Sequence, residues 1–297
     1  MQRGIRRILC RILWLTTILS GIPAVAVEVI DDDGHSIKLL QPASRIVSLA
    51  PSLTEMLFAA GAGSRIVGVV EYSDYPLAAK EITVVGRHNL LDLEAILALQ
   101  PDLIVSWKTG NPAAYIRQLK ELGFPVYVAE PRQLQSIPLH IEKLGILSGT
   151  TETATSASNR FTATLNQLQA DYSSKPEVSV FYQVWDTPLI TAGGNELIND
   201  IISLCGGRNI FADLSLVAPK VSKESVLARN PQIIIASGMD IARPEWLDSW
   251  LEWPSLPAVS HGHLYFIPPD LLQRHTPRAL QGATAMCEQI NNVRLKN

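Results

Sequence analysis

Three cysteines in 297 residues are too few for a disulfide-stapled scaffold. Aromatic residues make up only 6% of the chain, so each tryptophan or tyrosine near a loop carries weight. The sequence has no Gly-x-Ser-x-Gly elbow, no Gly-x-x-x-x-Gly-Lys phosphate loop and no His-Glu-x-x-His zinc pair. Gly61 and Gly63 follow a helical pattern instead of opening one, which excludes a dinucleotide fingerprint. An enzyme reading therefore has no catalytic spacing to rest on. A naked-metal reading fares no better, because His88 and His140 fall in one half of the chain without a tight ligand cluster around them. No uncharged apolar run reaches the roughly 18 residues that span a bilayer.

What is present begins with an export signal. Arg3, Arg6, Arg7 and Arg11 precede an uncharged apolar run over residues 12–22, and Ala24, Val25 and Ala26 supply a small-residue cleavage site. Cleavage is predicted after Ala26, with residues 1–26 as signal peptide. Cys10 lies too early to serve as a lipid-attachment cysteine. Removing four arginines and no acids takes Lys+Arg from 25 to 21 against 28 acids, so the mature chain carries −7 instead of −3. An acidic chain is a poor partner for nucleic acid or an anionic membrane. Export leaves Cys205 and Cys287 in an oxidising compartment, where one disulfide between them is expected.

Residues 29–40 read as two strands around a turn at Asp33-Gly34. Residues 45–50 read as a buried strand leading into a helix, with Ser52 and Glu55 as its capping box. Internal similarity sets the architecture. Residues 93–106, LEAILALQPDLIVS, are repeated as residues 223–236, KESVLARNPQIIIA, with Glu94 on Glu224, Leu97 on Leu227, Ala98 on Ala228 and Pro101 on Pro231. A helix–proline–strand unit recurring once at this distance implies two like α/β lobes, each with a mostly parallel sheet. Between the copies, residues 151–172 lack Gly and Pro, and Phe161, Leu165 and Leu168 recur at helical spacing. The expected order is an N-terminal lobe over 27–150, a connecting helix over 151–173 and a C-terminal lobe over 174–297. A rigid helical connector restrains hinge motion.

The stretch 45–55, RIVSLAPSLTE, resembles the opening of the helical-backbone periplasmic binding proteins, which serve importers of cobalamin, haem and iron siderophores. YSDYP at 72–76, WKTGN at 107–111, CGGRNIF at 205–211, VSKESVLAR at 221–229 and DLLQR at 270–274 extend the resemblance over nearly all of the mature chain and point to the corrinoid binders within the family. The resemblance implies two Rossmann-like lobes joined by one long helix, a ligand cleft between them, and a monomer in the periplasm. It implies cobalamin as transported ligand with no resident cofactor or metal, and a membrane permease dimer with its ATPase subunits as partner. Tyr72, Trp107, Asp270 and Arg274 become expected ligand contacts: aromatic faces suit the broad corrin, and Asp or Arg suits its amide rim. His88 and Ala218 stand where the family's cobalamin binders tend to have tryptophan, and Trp185 is expected to compensate. His88 is expected as a polar contact, not a cobalt ligand. The matching glutamates of the family dock the importer, which assigns that role to Glu94 and Glu224. Haem or a ferric siderophore is the alternative ligand, but a siderophore site wants several basic residues and only Arg274 is well placed.

Overall fold

The computed structural model describes residues 26–238 and 241–296, so the expected signal peptide, except for Ala26, lies outside the described residues. The N-terminal lobe begins with a hairpin of β1 (Val27–Ile30) and β2 (Ser36–Leu39). Its tight turn uses Gly34 at φ 80°, in the left-handed region that glycine adopts without penalty. Next come β3 (Ile46–Ser48), α1 (Pro51–Ala59), β4 (Ile66–Val69), the short hairpin β5 (Gly86–Arg87) and β6 (Leu90–Leu91), α2 (Leu93–Ala98), β7 (Leu103–Trp107), α3 (Ala113–Glu121), β8 (Val126–Ala129) and α4 (Ser136–Ser148). The main sheet has the order β4-β3-β7-β8, and every pairing in it is parallel. Helices cover both faces of such a sheet, which is why β8 is buried throughout and β7 is buried up to Trp107.

Helix α5 (Thr151–Tyr172) leads to the second lobe, built from β9 (Val178–Trp185), β10 (Ile190–Thr191), α6 (Leu197–Leu204), β11 (Gly207–Asn209), α7 (Lys223–Arg229), β12 (Ile233–Ala236), α8 (Pro257–Ser260), β13 (Leu264–Phe266), α9 (Pro269–Leu272) and α10 (Ala279–Lys296). Here β9 runs parallel to β11 on one side and β12 on the other, with β13 beyond β12 and β10 antiparallel at the carboxyl end of β9. The order β11-β9-β12-β13 repeats β4-β3-β7-β8. The repeated units occupy equivalent places, α2–β7 in one lobe and α7–β12 in the other.

One apolar cluster runs through both lobes. Leu53 and Met56 of α1, Ile141 and Leu144 of α4, Phe161 and Leu165 of α5, Ile201 of α6 and Ile290 of α10 belong to it. Separate clusters fill the outer faces of the two sheets. The amide of Leu134, just before α4, also donates to Asp200 Oδ2 of α6 at 2.8 Å. A core continuous across α5 resists opening, because hinging would expose apolar surface at a cost of roughly 25 cal/mol per Å².

The Cys205–Cys287 disulfide is present and joins the end of α6 to α10. The capping box at α1 is not. Ala50 is the N-cap, no side chain caps the helix, and Pro51 takes the first helical position. That shifts Ser52 inside the first turn and leaves Glu55 as a buried carboxylate turned to distant arginines.

Candidate ligand cleft

In open α/β sheets, ligands bind beyond the carboxyl ends of the strands. In the N-terminal lobe, Trp107 closes β7, Tyr72 follows β4, and His88 sits at the tip of the β5–β6 hairpin. Asn111 holds these loops together. Its Oδ1 accepts from the Trp107 amide at 2.7 Å, and its Nδ2 donates to the carbonyls of Leu49 at 2.9 Å and His88 at 2.7 Å. The Trp107 indole lies so close over Gly110 that a Cβ there would stand 1.7 Å from the ring, so glycine is required at that position. Trp107 is half-buried against the core, and the His88 ring lies 6.2 Å from its indole, tilted by 43°.

Tyr72 adopts φ 66°, a left-handed conformation that costs a non-glycine residue about 1–2 kcal/mol. Its neighbours maintain it. The Glu71 amide donates to Gly86 O at 2.8 Å, and Ser73 is tied to buried Thr54 at 3.2 Å. Tyr72 is 72% exposed, so a large aromatic side chain is presented to solvent at the carboxyl end of the sheet. In the C-terminal lobe, Trp185 ends β9 with its indole N–H donating to Thr187 O at 3.0 Å and more than a third of its surface open.

Charged groups fasten the two carboxyl ends together. Arg274 and Arg278, between β13 and α10, reach Glu55 of α1 at 3.2 Å and 2.6 Å. Arg274 also bonds Asp74, in the loop after β4, at 2.8 Å. Asp270 pairs with Arg274 at 3.2 Å and Arg278 at 3.8 Å, and the Arg278 guanidinium stacks 4.2 Å over Tyr75. Burial opposes charge on Asp74, but the Arg274 hydrogen bond and charge outweigh it and hold the carboxyl below its ordinary range. Burial likewise works against the Arg274 guanidinium, and its carboxylate partners raise it above its ordinary value. Thus Asp270 and Arg274, expected as ligand contacts, belong to an ion cluster across the lobe boundary, with part of each side chain still open to solvent. Glu55, Asp74 and Arg278 complete this cluster, and the motif reading assigned none of them to it.

A cavity of about 310 Å³ lies beside this cluster, lined by Glu55, Phe58, Tyr75, Pro76 and Arg278. A larger one of about 690 Å³ lies on the flank of α3 among Asp33, Lys108, Arg117 and Lys120. That flank is lined by Asp33, Lys108, Arg117, Lys120 and Glu121 together with Ala113, Ile116 and Val128 and by no aromatic ring, so the space between the lobes, where Trp107, Tyr72 and Trp185 lie, is the better candidate for a broad apolar ligand. His140 is not a free donor: it is buried between Tyr127 at 2.6 Å and Asp32 at 3.0 Å. Asp31, Asp33 and His35 cluster at the first hairpin turn, a grouping the sequence reading did not notice. Asp33 is already paired with Lys108 at 2.8 Å, and Asp31 Oδ1 accepts two backbone amides.

Glu94 and Glu224 are both exposed, each in the first turn of its repeated helix. Neither is the cap; Asp92 and Ser222 accept the free amides at those two helix starts. The own-backbone hydrogen bond and the Ser222 hydroxyl hold the Glu224 carboxyl below its ordinary range.

Comparison with known proteins agrees with this arrangement. The family model described as periplasmic binding protein matches residues 46–271. A vitamin B12-binding protein of Vibrio campbellii is 37% identical over 256 residues, covering 86% of this chain and 92% of that protein. A vitamin B12-binding protein of Vibrio cholerae is 39% identical over 247 residues, covering 83% and 88%. The crystal structure of the periplasmic vitamin B12 binding protein BtuF of Vibrio cholerae superposes with a TM-score of 0.79 at 37% identity, covering 85% of this chain and 98% of that one. Two like α/β lobes, a connecting helix and a matched sequence from Ile46 to Leu271 make this chain a member of the periplasmic binding protein family.

Proposed function

We propose that this chain is a periplasmic carrier that captures a corrinoid of the cobalamin type between its lobes and delivers it to an ATP-driven membrane importer. Relatives at 37–39% identity over more than four fifths of both chains are named vitamin B12-binding proteins, and that observation carries the reading. The cleft chemistry supports it. Trp107, Tyr72 and Trp185 offer aromatic faces for the macrocycle, and His88 with the open edges of Asp270 and Arg274 offers polar groups for its amides. Nothing in the proposal requires turnover; the protein holds its cargo and releases it unchanged. The mature form is residues 27–297, a monomer in the periplasm.

Calorimetric titration with cyanocobalamin tests the reading. One ligand per chain is expected for the wild type. Trp107→Ala is expected to lose about 2 kcal/mol of binding free energy, the scale of a buried aromatic anchor. An unchanged affinity would place Trp107 among the packing residues.

Glu94 and Glu224 are the proposed docking contacts. The equivalent sheet orders put one exposed carboxylate at the same place in each lobe. A permease dimer with a two-fold axis would meet this pseudo-symmetric pair through one basic cluster per subunit, in charge-assisted bidentate bonds. Changing both to alanine is expected to leave cobalamin affinity unaltered and to abolish a stable complex with the importer in pull-down. Wild-type complex formation by the double variant would reduce the two glutamates to helix-start charges, worth about 0.3–1 kcal/mol each.

A further inference from the structure

Asn111 ends the WKTGN run just before α3, a place where asparagine is commonly a helix cap. Here it caps nothing. Pro112 is the N-cap of α3, and no side chain accepts a free amide of that helix. The Asn111 side chain is instead buried, at 4% exposure, and its three hydrogen bonds go to strand ends around the cleft.

Both hydrogens of Nδ2 are used, one on Leu49 O directly after β3 and one on His88 O at the tip of the β5–β6 hairpin. Oδ1 accepts from the Trp107 amide, and the Asn111 amide closes the turn back onto Trp107 O at 2.9 Å. One side chain thus ties together segments 62, 23 and 4 residues away in the chain. Other bonds hold the same loop to the opposite side. The Lys108 amide donates to Ala129 O at 3.0 Å, and Thr109 donates to Glu130 from its amide at 3.0 Å and its hydroxyl at 2.9 Å. Those bonds reach toward β8, whereas the Asn111 side chain reaches toward β3 and the hairpin. The Trp107 indole rests on Gly110, so any shift of the 107–111 turn carries the ring with it.

We propose that Asn111 is a positioning residue for cargo capture, which fixes the Trp107 indole and the β5–β6 hairpin relative to β3 before the ligand arrives. It lies beneath these loops and acts through Trp107, not by contact with the ligand. The physical gain is preorganisation: an aromatic face already held in place does not have to be ordered at the expense of binding. The proposal rests on the corrinoid reading of the cleft.

The test is calorimetric titration of the mature protein with cyanocobalamin at neutral pH, comparing the wild type, Asn111→Leu, Trp107→Ala and the double variant. Asn111→Leu keeps the side-chain volume and removes both donors and the acceptor. Its affinity is expected to fall about tenfold, because the ligand must then order the turn it binds. In the Trp107→Ala background the same substitution is expected to change affinity by less than about twofold, since the ring through which it acts is gone. A general loosening of the lobe would lower affinity equally in both backgrounds, and that result overturns the proposal. So does wild-type affinity in either single variant. Where circular dichroism shows that Asn111→Leu has not folded, Asn111→Asp replaces it. That variant keeps the shape and the bond from the Trp107 amide and supplies at most one of the two donors, and the same comparison of backgrounds decides. Equal losses with normal wild-type binding leave the corrinoid reading intact, whereas a wild type that does not bind cyanocobalamin overturns both.

Discussion

Replacing Glu55 by alanine is expected to cost about 3 kcal/mol of stability, the lower end of the range for removing one partner of a buried ion pair. Glu55 is 4% exposed, and its carboxylate accepts from Arg274 and from two nitrogens of Arg278. Removing it leaves two guanidinium groups facing each other in a confined place. Asp74 and Asp270 compensate in part, which is why the lower end applies. At roughly 2–4 °C per kcal/mol for a chain of this size, the melting temperature should fall by about 6–12 °C. Thermal unfolding followed by circular dichroism measures this, and a double-mutant cycle with Arg278→Ala isolates the pair. A shift within a degree or two would show that the cluster is electrostatically neutral to the fold.

The same cluster sets a pH dependence. Asp74 titrates lower in the folded chain than its ordinary value because of Arg274. Its contribution is therefore complete above the unfolded carboxylate pKa of about 3.9 and is lost as pH falls through the lower folded value. Asp74→Asn should accordingly be less stable than wild type at neutral pH, and the difference should close on acidification below that window. The side chain is 42% exposed, so solvent screening keeps the effect modest.

Loss of the Cys205–Cys287 bridge is the other large effect. The cysteines are 82 residues apart, and in the chain-entropy account closing a loop of that length stabilises by about 4–5 kcal/mol. Cys205→Ala with Cys287→Ala keeps the site apolar, so the comparison reads the cross-link and not a buried hydroxyl. The loss should appear as a lower urea midpoint with a steeper slope, since the uncrosslinked unfolded chain exposes more surface. Both sulfurs lie in the core, so a reductant that leaves the protein folded should react with them only slowly. A double variant as stable as wild type would mean that packing of α6 against α10 suffices without the bond.

Local pattern made much of this protein legible. The helix–proline–strand unit at 93–106 and 223–236 depends on neighbours in sequence, and it anticipated two lobes whose sheets repeat one strand order. The uninterrupted apolar spacing of Phe161, Leu165 and Leu168 marked α5, since those residues define a buried stripe. Trp107 and Tyr72 were expected just beyond strands; Trp107 instead closes β7 and Tyr72 follows β4, both at the end where open sheets bind ligands. The ion cluster was not readable. Ser-x-x-Glu at 52–55 matches a local cap signature, while the true partners of Glu55 lie 219 and 223 residues away. The clamp by Asn111 was hidden for the same reason: its carbonyl acceptors belong to loops 62 and 23 residues distant.

The most direct test of the account is a competition for the cleft. Mature protein is mixed with equimolar cyanocobalamin and haemin, desalted, and its absorption spectrum recorded. The account predicts a protein fraction carrying the corrin bands at one equivalent per chain and no haem band. A protein fraction that retains haemin, or emerges without cobalamin, would contradict it.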